Sequence, residues 1–442
     1  MLARMDGAGE GAPGPLRRLA RSVVADVTPL RVSVPYRRLW IGLAVSNTGA
    51  QLTSVVVAIQ VYSVSGSNLA VGLVGGVALV PLIVFGLYGG AIADAVDRRT
   101  LMLWTAVGSA ICSAVLLAQA LLDVRSVLLL YLVVAVQSGL FAVNNPARTA
   151  AIPRLVGLEL LPAANALQQI TWGLAMTLGP LLGGLLVAWK GFGAAYAVDL
   201  LSFLAALWSV LLLPPIPPVG EGAGRRAGFA SVVEGLQFLR TRKVVLMTFL
   251  VDLNAMIFGM PRALFPAVAG AFFGGGAGTV GALSAAPAAG AFIGAIFSGG
   301  LGRVRRQGMA VLVSVMVWGL AIAAFGFSRV LWVGLVLLAV AGAADMVSAV
   351  FRTTILQTAT PDALRGRLQG VFVVVVAGGP RLGDVESGAV ASATNETISI
   401  VSGGLLCCVG VLLLAMLVPS FARYSSPVDG EVALPDELPD EI

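Results

Sequence analysis

The chain has 442 residues, of which 58% are hydrophobic and 11% charged, with no histidine and a net charge of +6. A soluble domain usually carries about 25% charged residues, so the mean hydropathy of +0.94 points to lipid as the solvent. The absence of histidine excludes histidine-based catalysis and histidine metal ligands, and leaves carboxylates as the proton carriers.

In chain order, residues 1–36 carry Arg4, Arg17, Arg18, Arg21 and Arg31 without an apolar stretch, and read as a cytoplasmic tail rather than a cleaved leader. Apolar runs then recur near 39–62, 69–93, 101–122, 126–145, 162–188 and 192–213. A second series follows near 244–268, 278–300, 308–327, 330–350, 366–391 and 397–420. About 18 or more apolar residues span a hydrocarbon core as helix, and backbone groups in lipid must be satisfied internally. The expected fold is therefore all-α and integral to the membrane, with 12 transmembrane helices. Residues 37–213 would form one six-helix bundle and residues 244–421 the other.

Between them, residues 214–243 read as a cytoplasmic linker. Pro214, Pro215, Pro217 and Pro218 end the sixth run. Phe229, Val232, Val233 and Leu236 then recur at the spacing of a short amphipathic helix. Residues 422–442 are acidic and read as a disordered tail. Cys112, Cys407 and Cys408 lie inside apolar runs, as small core residues would.

The two series share an internal repeat, with corresponding runs offset by about 205 residues. Arg148-Thr149 matches Arg352-Thr353, and Gly179-Pro180-Leu181-Leu182-Gly183 matches Gly379-Pro380-Arg381-Leu382-Gly383. An even number of crossings per half makes the repeats parallel, an architecture suited to rocking two bundles about a central site. With both termini cytoplasmic, 23 of the 28 basic residues fall on the cytoplasmic side, so the excess of inside positive charge fixes the orientation. The net charge then needs no nucleic acid to explain it.

Ionisable groups inside a bilayer are functional candidates by default. Asp252 lies well inside the seventh run with Asn254 beside it, and is the first choice for a proton or substrate site. Asp345 in the tenth run either lines the cavity or pairs with a basic residue near the membrane surface. Asn47 and Gln51 are one turn apart in the first run, and Gln137 lies in the fourth. Asp199 in the sixth run reads as a structural hydrogen-bonding group. Arg262, Arg381, Asp384 and Glu386 lie near the outer ends of their runs and are expected to form a charged outer gate.

Two motifs bring a family into view. Gly90-Ala91-Ile92-Ala93-Asp94-Ala95-Val96-Asp97-Arg98-Arg99 resembles the loop signature of the major facilitator superfamily, with Ala95 in place of a basic residue and Asp97 in place of a glycine. Gly179, Pro180 and Gly183 resemble the glycine-proline motif of that family's exporters. Met260-Pro261-Arg262-Ala263-Leu264-Phe265-Pro266 and Gly378 to Asp384 look like the enterobactin-exporter branch, which is related to macrolide-efflux proteins. The resemblance covers roughly residues 36 to 423. It implies a secondary exporter of amphipathic small molecules, siderophore or antibiotic-like, in a bacterial inner membrane. It also assigns Gly90, Asp94, Arg98 and Arg99 to the conformational cycle and implies the first, fourth, seventh and tenth spans as the cavity lining. The run from Ser126 to Asn145 departs from many proton-coupled exporters in holding no arginine.

The leading expectation is a proton antiporter working by alternating access, monomeric, with protons and a small molecule as its partners and no cofactor or metal. An importer or lipid flippase of the same fold stays open, as does a membrane enzyme or sensor. Against an enzyme stand the missing histidine and the lack of a Gly-x-Ser-x-Gly elbow or a phosphate-binding loop.

Overall fold

The computed structural model describes residues 26–217, 237, 239–359 and 362–425, and they are all helix and turn. The leading tail to residue 25, the linker hydrophobics Phe229 to Leu236, and the acidic tail from 426 lie outside the described residues. Among the described residues, ten stretches are long and apolar enough to cross a membrane. Their outward faces carry large apolar side chains such as Leu128, Val136, Trp208 and Trp332, as expected where lipid is the solvent.

The first series opens with α1, Val34–Ser65, and α2, Asn68–Ala95. Ser33 accepts from the Tyr36 amide at 3.2 Å and Ser67 from the Ala70 amide at 3.3 Å, so hydroxyls satisfy the first donors of both helices. Gly66, at φ 62°, takes the left-handed turn between them. α3 spans Arg98–Leu121 and α4 Val127–Val156. α5, Leu161–Leu211, is 51 residues long and breaks at Gly191, where φ is 78°. The break falls between the fifth and sixth apolar runs.

The second series begins with α6, Lys243–Phe258, a single 3-10 turn at Arg262–Leu264, and α7, Phe265–Phe273. The seventh run is thus interrupted where the sequence suggested one helix over 244–268. Pro261 and Pro266 each lack an amide donor, and the carbonyl of Gly259, just past the end of α6, accepts from Trp318 Nε1 at 3.0 Å. α8 is Ala277–Ile296, α9 Gln307–Phe327, α10 Leu331–Thr358, α11 Asp362–Ala393 and α12 Glu396–Leu417.

A second correction concerns α4. The sequence placed its end near Asn145, but the helix runs on through Pro146 and Pro153 to Val156, and so includes Arg148 and Arg154. The apolar run is shorter than the helix because the last three turns are polar while still packed. Ala147 and Ala151 share a core with Leu39, Leu101 and Val210.

Two ends of the bundle differ. The near end holds Asp97, Gly157 and Ile216; the far end holds the turns at Gly66, Gly191 and Gly274. At the far end, helices of the first series meet helices of the second through glycine. A Cβ on Gly72 of α2 would lie 2.3 Å from the Asp384 carbonyl oxygen of α11. One on Gly281 of α8 would lie 2.5 Å from the Pro180 carbonyl oxygen of α5. Apolar packing also crosses here, with Val55 of α1 in the second series' core and Ala263 in the first's. At the near end, the described cores built on Leu39, Leu101 and Val210 and on Leu239, Val245 and Phe249 each draw on one series alone. Among the described residues the two series are thus joined at the far end, whereas these two near-end cores each belong to one series.

Candidate functional site

Asp252 lies in the third turn of α6, its side chain 4% exposed, and forms an ion pair with Nη1 of Arg352 on α10, itself 7% exposed. Nη2 of the same guanidinium reaches Asp345 Oδ1 at 3.4 Å. Asp345 stands two helical turns before Arg352 on the same face of α10 and is 44% exposed. One arginine therefore joins a buried carboxylate to a wetter one. Removing one member of a buried pair leaves an uncompensated charge, at a cost of roughly 3–5 kcal/mol.

The sequence placed Asp252 and Asp345 as candidates but counted Arg352 among the cytoplasmic surface charges. Its signal was available: Arg352 repeats Arg148, and its spacing from Asp345 puts both on one helix face. Asn254, by contrast, is not brought to Asp252. It turns to α12 and donates to the Cys407 carbonyl at 2.9 Å.

Asn47 and Gln51 on α1 and Gln137 on α4 are half-buried and make no hydrogen bond among the described residues. The β-carbon of Gln51 packs at Gly179 of α5. Gly179 and Gly183 both lie on α1: added β-carbons would approach the Thr48 and Leu52 carbonyl oxygens to 2.9 Å. Pro180 and Gly184, on the other face, meet α8. The glycine-proline motif thus lets one helix touch a neighbour in its own series and another across the bundle. Gly379 and Gly383 play the matching part on α11, packing on Met256 of α6.

At the far end Arg262 Nη2 donates to Asp384 Oδ2 at 3.0 Å, with side chains 47% and 16% exposed. Arg381 points elsewhere, to the Ala377 carbonyl of its own helix. Glu386, half-buried, forms no hydrogen bond or ion pair among the described residues. The expected four-residue cluster is therefore one ion pair with Arg381 alongside. The sequence missed a second far-end link, Asn68 Nδ2 to Glu396 Oε1 at 2.8 Å, which ties α2 to α12.

The loop signature sits at the near end. Gly90 and Asp94 are in α2, but their side chains lie outside the described residues. Asp97 caps α3 by accepting from the Thr100 amide at 2.9 Å and also accepts from the Ile216 amide at 2.8 Å. Arg99 donates to the Leu211 and Val210 carbonyl oxygens at 2.7 and 3.4 Å, a cation on the negative end of α5. Arg98 is half-buried, and its backbone amide donates to the Ile216 carbonyl at 3.1 Å. Asp199, fully buried in the second limb of α5, accepts from Ser113 Oγ of α3 at 2.6 Å, as a structural group would. Among the described residues no cluster of side chains could hold a metal ion.

Residues 24–430 match the family model described as transmembrane secretion effector. The chain belongs to that family of major facilitator transporters. It is 31% identical over 404 residues to the enterobactin exporter EntS of Shigella boydii serotype 18, covering 90% of this chain and 95% of that one. The same identity and coverage hold for the enterobactin exporter EntS of Escherichia coli O139:H28. Among solved structures, an auto-inhibited peptide transporter of the POT family superposes with a TM-score of 0.68 at 11% identity, over 90% of this chain and 98% of the other. The nucleoside transporter NupG superposes at 0.64 and 14% identity, over 88% and 100%. These likenesses show the fold. The protein is a multi-pass membrane transporter and not an enzyme.

Proposed function

We propose that the protein is a secondary exporter of amphipathic small molecules of the siderophore or antibiotic-like class, driven by proton antiport. It would work as twelve crossings in two six-helix halves, residues 37–213 and 244–421, joined by the 214–243 linker. The observation that carries the direction is the 31% identity to an enterobactin exporter along 90% of the chain. The twelve-crossing count is supported by the break of α5 at Gly191, which makes two crossings of one run. The 32-residue α11 supplies another beyond the ten apolar stretches.

With both termini cytoplasmic, the near end is the cytoplasmic face and the protein stands open inward. Cargo enters between the halves, among Asn47, Gln51, Gln137 and Asp345. Asp252 takes up a proton and loosens its hold on Arg352, whose guanidinium then leans on Asp345. The Arg262–Asp384 pair, with Arg381 beside it, braces the outer gate from the second half, where α2 of the first half meets α11. Pro180, with Gly184, keeps the halves in sliding contact while Gly179 and Gly183 hold α5 on α1, and Gly90, Asp94, Arg98 and Arg99 set the inner end. Asn254 serves to hold α6 on α12.

Everted inner-membrane vesicles carrying the full chain test this. Enterobactin should accumulate inside them when a pH gradient is imposed, and collapsing the gradient should stop it. Accumulation that survives the collapse would rule out proton antiport, and none under any gradient would rule out this cargo class.

A further inference from the structure

The two halves treat one repeated arginine in opposite ways. Arg352 on α10 is held by Asp252 and Asp345. At the repeat offset of 204 to 205 residues, Arg148 stands for Arg352, Phe141 for Asp345 and Asn47 for Asp252. Both acids are replaced by neutral groups. Arg148 Nη2 donates to Asn145 Oδ1 at 2.9 Å and has no acidic partner among the described residues. Its Nε is buried without a partner, and so is the neighbouring Asn144 Oδ1. Buried polar groups in native proteins are nearly always satisfied, and cations at membrane depth are usually paired.

The face that carries Arg148 is also distinctive. Gln137, Phe141, Asn144 and Arg148 follow one another at steps of four, three and four, which line one side of a helix. α4 meets α2 through Ser138, whose Oγ donates to the Ala78 carbonyl at 2.7 Å. It meets α3 through Leu140, which packs at Gly108. Its apolar outer face carries Leu128, Leu132 and Val136. The Gln137–Arg148 face points away from that outer face, toward the middle of the bundle. Phe141 stands 43% exposed on it.

We propose that Arg148, with Phe141 and the amides of Asn47 and Asn144, is a subsite for an aromatic carboxylate of the cargo. A guanidinium fork matches a carboxylate in two parallel hydrogen bonds, and an exposed phenyl ring stacks on an aromatic body. The cargo brings the negative charge that the first half lacks. This rests on the transport reading above and narrows its substrate class to acids.

The test uses the full chain purified into phosphatidylcholine nanodiscs, with salicylate and its neutral counterpart salicylamide as probes, and binding read by tryptophan fluorescence. Salicylate should bind saturably and salicylamide at least about tenfold more weakly. Arg148→Gln should weaken salicylate about tenfold and leave salicylamide unchanged, with Arg148→Lys in between. Asn47→Asp keeps the arginine but supplies the acid that Asp252 supplies to Arg352, and should weaken salicylate to the same degree. No binding of salicylate, equal binding of the two probes, or unchanged salicylate affinity in both Arg148→Gln and Asn47→Asp would overturn the subsite. Adding phosphatidylglycerol to the nanodiscs should not compete; competition would mean a lipid phosphate sits there and would overturn the cargo role. The outcome is separable from the export reading. Vesicles that accumulate enterobactin while salicylate ignores Arg148 would sink the subsite alone. Arg148-dependent salicylate binding without vesicle accumulation would sink export alone.

Discussion

Two ion pairs hold the second half of the molecule, and they differ in what they join. Asp252–Arg352 is buried and links α6 to α10 within one series of helices, whereas Arg262–Asp384 is partly exposed and lies where α2 meets α11. A pair inside one rigid body can be deep, because rocking the halves does not pull it apart and only protonation of Asp252 loosens it. A pair on one body beside the seam is not pulled apart by rocking, and its partial exposure keeps its strength small, near 0–1 kcal/mol for a wet pair; what it shapes is the α11 surface that α2 meets. Depth therefore separates the charge that organises the core of a half from the charge that braces its seam-facing surface.

The largest effect should come from breaking the buried pair from one side. Asp252→Ala leaves the buried Arg352 with only the longer contact to the half-exposed Asp345 and should cost up to about 3–5 kcal/mol, read as a large drop in the thermal unfolding midpoint of the purified protein. Replacing both members, Asp252→Leu with Arg352→Met, should recover most of that loss. A double variant as unstable as the single would mean the pair is not what organises this core.

A smaller but still clear effect is expected from crowding the seam. Gly281→Val meets the Pro180 carbonyl oxygen, since even a Cβ would stand 2.5 Å from it. Overpacking of this kind costs about 1–3 kcal/mol, here charged against the far-closed state alone. Far-end cysteine probes should become more accessible, and unchanged accessibility would show that α5 and α8 do not form the seal. Asp384→Asn should act in the same direction with less force, about 1 kcal/mol or severalfold in the same probe's labelling rate. Equal labelling in Asp384→Asn and the parent protein would remove Arg262–Asp384 as a brace of the gate. Smallest of all should be Arg99→Gln, which gives up two carbonyl contacts at the end of α5. It should lower stability by roughly 0.3–1 kcal/mol and leave the seam untouched.

Much of this was legible in the sequence because lipid imposes simple rules. Apolar length gave the helices, and the glycines at 179, 183, 379 and 383 marked close helix contacts. Two features resisted. Hydropathy ended the fourth run near Asn145, since it cannot see a polar helix end packed through Ala147 and Ala151. The seventh run looked continuous because the Gly259–Leu264 interruption is apolar apart from Arg262 and is completed by Trp318 from α9. At the site, Asp252 stood out as a lone acid in an apolar run, but its partner did not. Arg352 lies near the end of a run, where a positive residue reads as a surface anchor. Pairing is a property of two distant segments, here 100 residues apart. Glu386 shows the reverse error, in which closeness along the chain suggested a contact that the helix directs elsewhere, while Arg381 stays beside the pair but bonds the Ala377 carbonyl of its own helix.

Alternating access about a joined far end is tested most directly by two distances in one sample. Spin labels at Ser65 and Thr394 report the far end, and labels at Arg154 and Thr358 the near end. In nanodiscs, adding cargo should lengthen the far-end distance as the near-end distance shortens, and raising the proton concentration should reverse both, with the two populations shifting together. Distances that stay fixed, or that move independently of each other, would contradict a transporter that rocks two halves about the Asp252–Arg352 site.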